Sequence, residues 1–436
     1  MIETVYQEVH STEWKKLHIL NKTHPLIIFR SIIPWQLIIN LLVPFYSETG
    51  KKGKNLRMVV AILLLQKLEG LSNRGVIESI EENRYHQYFC NISDQELFQF
   101  VDDSTLTGWL KRFGIQGIAL IEYAIFEALN QLGIIRCDKA LIDSTVEESD
   151  IVFPTDTHLI FKAFLKMESF AKSHKIPQWW DHDAVKQLWR TLNLDRSPNY
   201  WLYLLQFYHL FKDALKAFKE LAQALKLAKK KEKKARHLIA LLEILFEQTQ
   251  QKLAGEKQIK NRLISLDEPD ARAIKKGKRF TEFGTSVQMS FNRDGFMITT
   301  EVCIGQADDK GAYLSILKSF IQRMAKTPDA VITDLMYRTK NNIKNTPKQI
   351  KHVFLGRSDD VPEEVRKECH SARAATEGFI AVAKNLRHFG KSLYQGIEGD
   401  QVWTTLCQAA YNLKKVFQLY QEERFSDKDW DHFCFP

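Results

Sequence analysis

Two short apolar runs in this chain each end in an aspartate: Ala140-Leu141-Ile142-Asp143 and Ala330-Val331-Ile332-Thr333-Asp334. Runs of this kind read as strands. Between them, residues 155–265 carry helical spacing and no strand signal. Acids so far apart in the chain can act together only if a sheet brings their strands side by side. That requirement constrains the fold more tightly than composition does.

The elements around these runs follow from spacing and caps. Residues 1–135 read as helical. Leu56–Leu68 is strongly apolar, Glu69-Gly70-Leu71 is a turn, and Ser72 is an N-cap for a helix over Asn73–Glu82. The turn at Gly70 has the form of a helix-turn-helix connection, and a plain helical bundle accounts for it equally well. Ser104 starts a short helix over Thr105–Phe113, and a longer one over Ile118–Leu132 ends at Gly133. A short strand takes in Ile134-Ile135 and Ala140–Ile142 and ends at Asp143. After the helical insertion, Val287, Met289 and Phe291 alternate with polar residues. Asn292–Gly295 then turns the chain into a second strand, Phe296–Ile304. A helix over Gly311–Ala325, the strand ending at Asp334, a helix near Asn341, a strand over His352–Leu355, a long helix over Glu363–Leu386 and a last helix over Gln401–Tyr420 complete the order. Without the insertion the order is strand, strand, strand, helix, strand, helix, strand, helix. That is the order of an α/β ribonuclease H-like fold, a mixed sheet with helices on both faces. The expected domains are a helical N-terminal one over 1–135 and a catalytic one over 136–436, interrupted by the helical insertion at 155–265.

Composition bounds the partners. A length of 436 residues favours two or three units, and 44% hydrophobic with 26% charged residues is globular. The net charge of +9 fits a polyanionic partner, as a weak prior. The lysine run from Lys226 to Arg236 reads as a solvated helix face or, more sharply, as a phosphate-contacting stripe. The six cysteines, Cys90, Cys137, Cys303, Cys369, Cys407 and Cys434, form no C-x-x-C and fit a reducing cytoplasm. No H-E-x-x-H pair supports zinc hydrolysis, and no G-x-x-x-x-G-K-[ST] supports nucleotide hydrolysis. The start at Met1 lacks the basic and apolar pattern of a signal peptide. The apolar runs Ile32–Phe45 and Met58–Leu65 are too short to span a bilayer. A soluble protein with no membrane partner is expected.

The densest chemistry lies in His370-x-x-Arg373-x-x-x-Glu377-x-x-x-x-x-x-Lys384. At ~100° per residue these four side chains fall within roughly 60° of one helix face. One carboxylate, two permanent cations and an imidazole then share that face. A carboxylate can hold a divalent cation, and Arg and Lys can hold phosphate oxygens. With Asp143 and Asp334, the set points to metal-assisted phosphodiester chemistry.

These residues resemble a bacterial insertion-sequence DDE transposase of the insertion-sequence 4 and 5 superfamily. The likeness runs through Leu141–Glu147 and Phe153–Asp156, Ala273–Lys278 with Glu282–Gly284, and Val331–Asp334 with Tyr337 and Asn341. It ends with Arg373, Glu377 and Lys384 at the spacing of the Tyr-Arg-Glu-Lys helix, and Leu56–Cys90 resembles the helical N-terminal region. The resemblance implies that Asp143, Asp334 and Glu377 bind two Mg²⁺ or Mn²⁺ ions. It implies that His370, Arg373 and Lys384 contact the transposon end. It further implies nicking of terminal inverted repeats in double-stranded DNA, strand transfer into target DNA, a homodimer pairing the two ends, and a bacterial, nucleoid-associated location. Two rival readings are a nuclease of the same fold without strand transfer, and a decayed copy that only binds DNA.

Three positions depart from the family pattern. His370 replaces the usual tyrosine, Met336 stands where a small residue is common, and Asp270 falls where histidine or another polar residue is expected. Glu147, Glu148 and Asp150 are expected to cap or to lie on the surface, Asp308 and Asp309 to serve a turn, and Ser144 and Thr145 to serve the metal site or a turn. Glu398 is rejected as the third acid because Tyr394 and Thr405 occupy its clamp positions.

Overall fold

The computed structural model describes residues 21, 23–46, 53–93, 101–194, 199–225, 228–276, 280–357 and 361–422. Met1, Lys226, Gly277, Lys278 and Cys434 lie outside these residues. The chain divides into two units: residues 1–147, 286–303 and 307–436 form the first, and 148–285 with 304–306 form the second.

The first unit opens with α1 (Pro25–Ile32), α2 (Trp35–Leu42), α3 (Leu56–Glu69), α4 (Asn73–Glu82), α5 (Arg84–Cys90) and α6 (Asp103–Gln131). α3 is buried at every position from Leu56 to Leu68. Its apolar residues therefore cover the whole helix instead of one stripe. Gly70 closes it in the left-handed conformation at φ 66°, and the Ser72 hydroxyl caps α4 by accepting from the Gly75 amide at 3.0 Å. As expected, two helical stretches lie between Thr105 and Leu132: α6 is broken at Gly114, whose φ of 55° and ψ of −162° are not helical. Among the described residues no single helix is long and apolar enough to cross a membrane. β1 (Lys139–Ser149) follows. It does not stop at Asp143 as expected, and Ile134-Ile135 precede it. Ser144 and Thr145 lie within the strand, which continues to Ser149.

The second unit contains α7 (Asp156–Ser173), α8 (His182–Leu194), α9 (Tyr200–Ala224), α10 (Lys229–Leu253), β2 (Arg272–Lys276) and the start of β3 (Phe280–Phe291). Phe164, Phe207, Phe211, Phe218 and Leu242 form a core of its own. Thr155 caps α7 by accepting from the His158 amide at 3.1 Å. Buried Asp156 pairs with both Lys252 at the end of α10 and Arg262 beyond it. One carboxylate thus ties the first helix of the segment to its last, and the two cations compensate its burial. β2 runs antiparallel to β3, with Ile274 opposite Glu282.

Back in the first unit come β4 (Met297–Cys303), α11 (Asp309–Met324), β5 (Ala330–Thr333), a 3₁₀ turn at Leu335–Tyr337, α12 (Lys340–Asn345), β6 (His352–Leu355), α13 (Glu363–Leu386), β7 (Lys391–Ser392) and α14 (Gly396–Gln421). The strands make one seven-stranded mixed sheet in which β3, β1, β5 and β6 are successive neighbours, β4 pairs β3, and β7 pairs β1. β1 and β6 both run parallel to β5, while β4 is antiparallel to β3.

Strand alternation sorts the side chains between two cores. Ala140 and Ile142, Val331, Ile298 and Leu355 join the core built with α3, α6 and α11. Leu141, Ile332, Met297 and Phe354 join the opposite core, with Cys369 and Ala383 of α13 and Trp403 of α14. Strands covered on both faces read as continuous apolar runs for this reason.

Candidate functional site

The site begins with register. Leu141 of β1 lies opposite Ile332 of β5 in a parallel pair. Two residues further on stand Asp143, within β1, and Asp334, just past the end of β5. Because strand side chains alternate, both aspartates fall on the face of Leu141 and Ile332, which α13 covers. The structure therefore brings Asp143 and Asp334 to the same end of paired strands, where both act on Tyr337.

Local bonds fix both carboxylates. Asp143 accepts from the Ser144 amide at 2.7 Å. Asp334 caps the 3₁₀ turn after β5 by accepting from the Met336 amide at 2.8 Å. Burial pushes the Asp334 carboxyl above its ordinary range; Asp309 adds to the rise, and the bond from Met336 and the charge of Arg373 oppose it. Met336 is not crowded: its side chain is half exposed and its backbone needs no positive φ. The turn therefore accommodates methionine where the family pattern commonly has a small residue.

Beneath the pair, Tyr337 is fully buried, and its hydroxyl donates to Gln288 Oε1 at 2.7 Å. Gln288 in turn donates to Asp309 Oδ1 at 2.7 Å. Burial raises the Tyr337 phenol, and the negative charges of Asp309, Asp143 and Asp334 raise it further. Asp309 was expected to serve only a turn. Asp308 does so, accepting from the Gly311 amide at 3.1 Å, while Asp309 reaches the Tyr337 network. The alternation of polar Gln288 within β3 was the one sequence signal for this network.

The long helix α13 packs on β5 and supplies the remaining candidates. Arg373 is near enough to Asp334 to lower its pKa, and it faces Glu377 at 3.6 Å. The Glu377 side chain is 66% exposed, which leaves room for it to change rotamer. His370 is exposed, with its ring edge-on to Phe354 of β6 at 5.0 Å. Lys384 is half-buried in the last turn of α13. Among the described residues, no group of three His, Cys, Asp or Glu side chains converges as a ready metal-ligand set. Glu398, rejected above, is exposed in the first turn of α14.

Glu147 departs from expectation. It is neither a cap nor a surface residue but fully buried, accepting from the Thr404 hydroxyl at 3.1 Å. Burial and neighbouring Asp400 push its carboxyl well above the usual range. Lys67 of α3 lies close by, its ammonium 3.1 Å from the Trp403 ring centroid. Burial lowers the Lys67 pKa to about 7. The strand runs on past Asp143, so Glu147 falls on the same face of β1 and packs against Thr404 of α14.

Comparison with known proteins adds the class. Residues 15–112 match the transposase domain DUF772. The uncharacterized protein ORF8 in the nfe locus of Rhizobium meliloti is 34% identical over 164 residues, covering 36% of this chain and 78% of that protein. No solved structure gives a significant match. The chain is thus a protein of the transposase class. It belongs to the family marked by the DUF772 transposase domain.

Proposed function

We propose that this chain is a metal-dependent DDE transposase of the insertion-sequence 4 and 5 type, with a ribonuclease H-like core. It nicks the ends of an insertion sequence and joins them to target DNA, working as a dimer on paired ends. The observation that carries this reading is the parallel pairing of Leu141 with Ile332, each two residues before an aspartate, Asp143 and Asp334, in a chain with a transposase domain. The order of β4, β3, β1, β5 and β6, with β4 antiparallel and the last two parallel, supports the core assignment.

The donors fit a hard divalent cation. Asp143 and Asp334 both lie near enough to Tyr337 to raise its phenol, and the raised pKa of Asp334 reflects its burial with Asp309 close by. Mg²⁺ characteristically takes one or two carboxylates and keeps several waters. Asp143 and Asp334 would hold the ions, with Glu377 joining by leaving Arg373. Bound there, Mg²⁺ or Mn²⁺ supplies polarisation of the scissile phosphate and a more acidic attacking water or 3′-hydroxyl. Arg373, released from Glu377, holds phosphate oxygens with its planar fork, and Lys384 adds a point charge further along the same helix. His370 donates to a phosphate or stacks on the end. Tyr337, locked to Gln288, keeps the turn behind Asp334 in place.

The test is cleavage of DNA carrying the terminal repeats that flank the gene, with Mg²⁺ present. Asp143→Ala, Asp334→Ala and Glu377→Ala should each abolish cutting and retain DNA binding. A variant lacking all three acids that still cuts those ends would sink the assignment. Joining of pre-cut ends separates a transposase from a nuclease of the same fold.

A further inference from the structure

The proposed reaction leaves the second unit without a task, and its α7–α10 groove has the chemistry for one. The first two turns of α10 carry Lys229, Lys230, Lys231, Lys233, Lys234 and Arg236 against the single acid Glu232. All six cations are exposed. Glu232 is already engaged by Arg236 at 3.0 Å. Positive side chains at this end of a helix oppose its macrodipole and cost stability. Ala228 offers no side-chain cap to offset that cost. An anion laid across the turn reverses the sign of both effects.

These cations border a formed groove. Lys231, Lys234 and His237 line one wall, and Lys166 and Ser169 of α7 with His174 at its end line the other, around a cavity of about 540 Å³. Lys166 is partly neutralised, at 2.6 Å from Asp267, which also takes Lys162 at 3.6 Å. His174 Nε2 is shielded from solvent and has no hydrogen-bond partner among the described residues. A groove with cations on both walls and hydroxyls beside them suits a chain of phosphates better than a single ion.

Resting on the transposase reading, we propose that this groove of the second unit binds the DNA phosphate backbone, independently of base sequence. The carboxylates Asp143 and Asp334 have no part in this binding. Lys231 and Lys234 supply the main charge, and the Ser169 hydroxyl supplies a directional hydrogen bond.

The experiment is equilibrium binding of a random-sequence DNA duplex to the full chain across a salt series. Removing one lysine–phosphate pair makes the slope of log K against log salt shallower by about 0.9. The double variant Lys231→Gln with Lys234→Gln should make that slope shallower by about 2 and weaken binding by about tenfold at low salt. An unchanged slope overturns the proposal. So does a loss of heparin binding with duplex binding intact, which would assign the groove to a different polyanion. Failure of the catalytic reading would appear in the cleavage assay and leave this result standing.

Discussion

Gly356 lies against the backbone of Leu335 so closely that a Cβ on it would come within 2.4 Å of the Leu335 nitrogen. The same atom would sit 2.9 Å from the carbonyl carbon of Asp334. The residue after β6 thus forms the floor under the turn that carries the second aspartate. Gly356 also has φ 78°, which L side chains rarely adopt. Gly356→Ala should lower unfolding stability by at least about 1–3 kcal/mol from backbone strain alone. Urea denaturation measures it, and an unshifted midpoint would show that the turn is not so constrained.

The Tyr337 hydroxyl is the donor to Gln288 in a buried chain that ends on Asp309. Tyr337→Phe keeps the ring and removes the donor, leaving a buried amide oxygen without that bond. A loss of about 1–3 kcal/mol is expected. Denaturation of Tyr337→Phe beside Gln288→Leu and the double variant gives the coupling. Additive effects would show that the two residues do not act as a pair.

Asp309 and Arg373 act on Asp334 with opposite sign. Asp309→Asn removes a negative neighbour and should let the Asp334 pKa fall. Arg373→Gln removes a positive one and should drive it higher. Carboxyl carbon NMR titration of the protein without divalent ions reads both shifts. Movement in one common direction would contradict the arrangement.

Lys67 gives stability a pH dependence. Its folded pKa of about 7 lies below that of an exposed lysine, so the unfolded chain binds more protons between the two values. The contribution of Lys67 is therefore complete above the unfolded pKa and is lost as pH falls towards 7. Glu147, with its pKa raised, contributes in the other direction: its share is complete below the ordinary carboxylate range and is lost as pH rises through the folded value. Lys67→Met should remove the lysine component, changing the slope of stability against pH above neutrality by up to about 1.4 kcal/mol per pH unit. Identical slopes for the two proteins between pH 7 and the ordinary lysine pKa would rule this out.

Much of this molecule is legible in its sequence. The bounds of α13, Glu363–Leu386, and of β6, His352–Leu355, follow from periodicity alone. The Ser72 cap and the left-handed Gly70 are local chemistry, and local chemistry is written in neighbouring residues. The apolar runs before Asp143 and Asp334 announce strands covered on both faces for the same reason. What neighbours cannot encode is which distant residues meet. Only the parallel ladder, with Leu141 opposite Ile332, carries Asp143 and Asp334 to the same end of the sheet, because register is a relation between two strands. Only packing turns Glu147 inward beneath Thr404 and brings Asp309 to Gln288. Only the turn against Gly356 shows that Met336 is tolerated. In each case the deciding quantity is a desolvation or a contact between segments far apart in the chain, and it has no local signature.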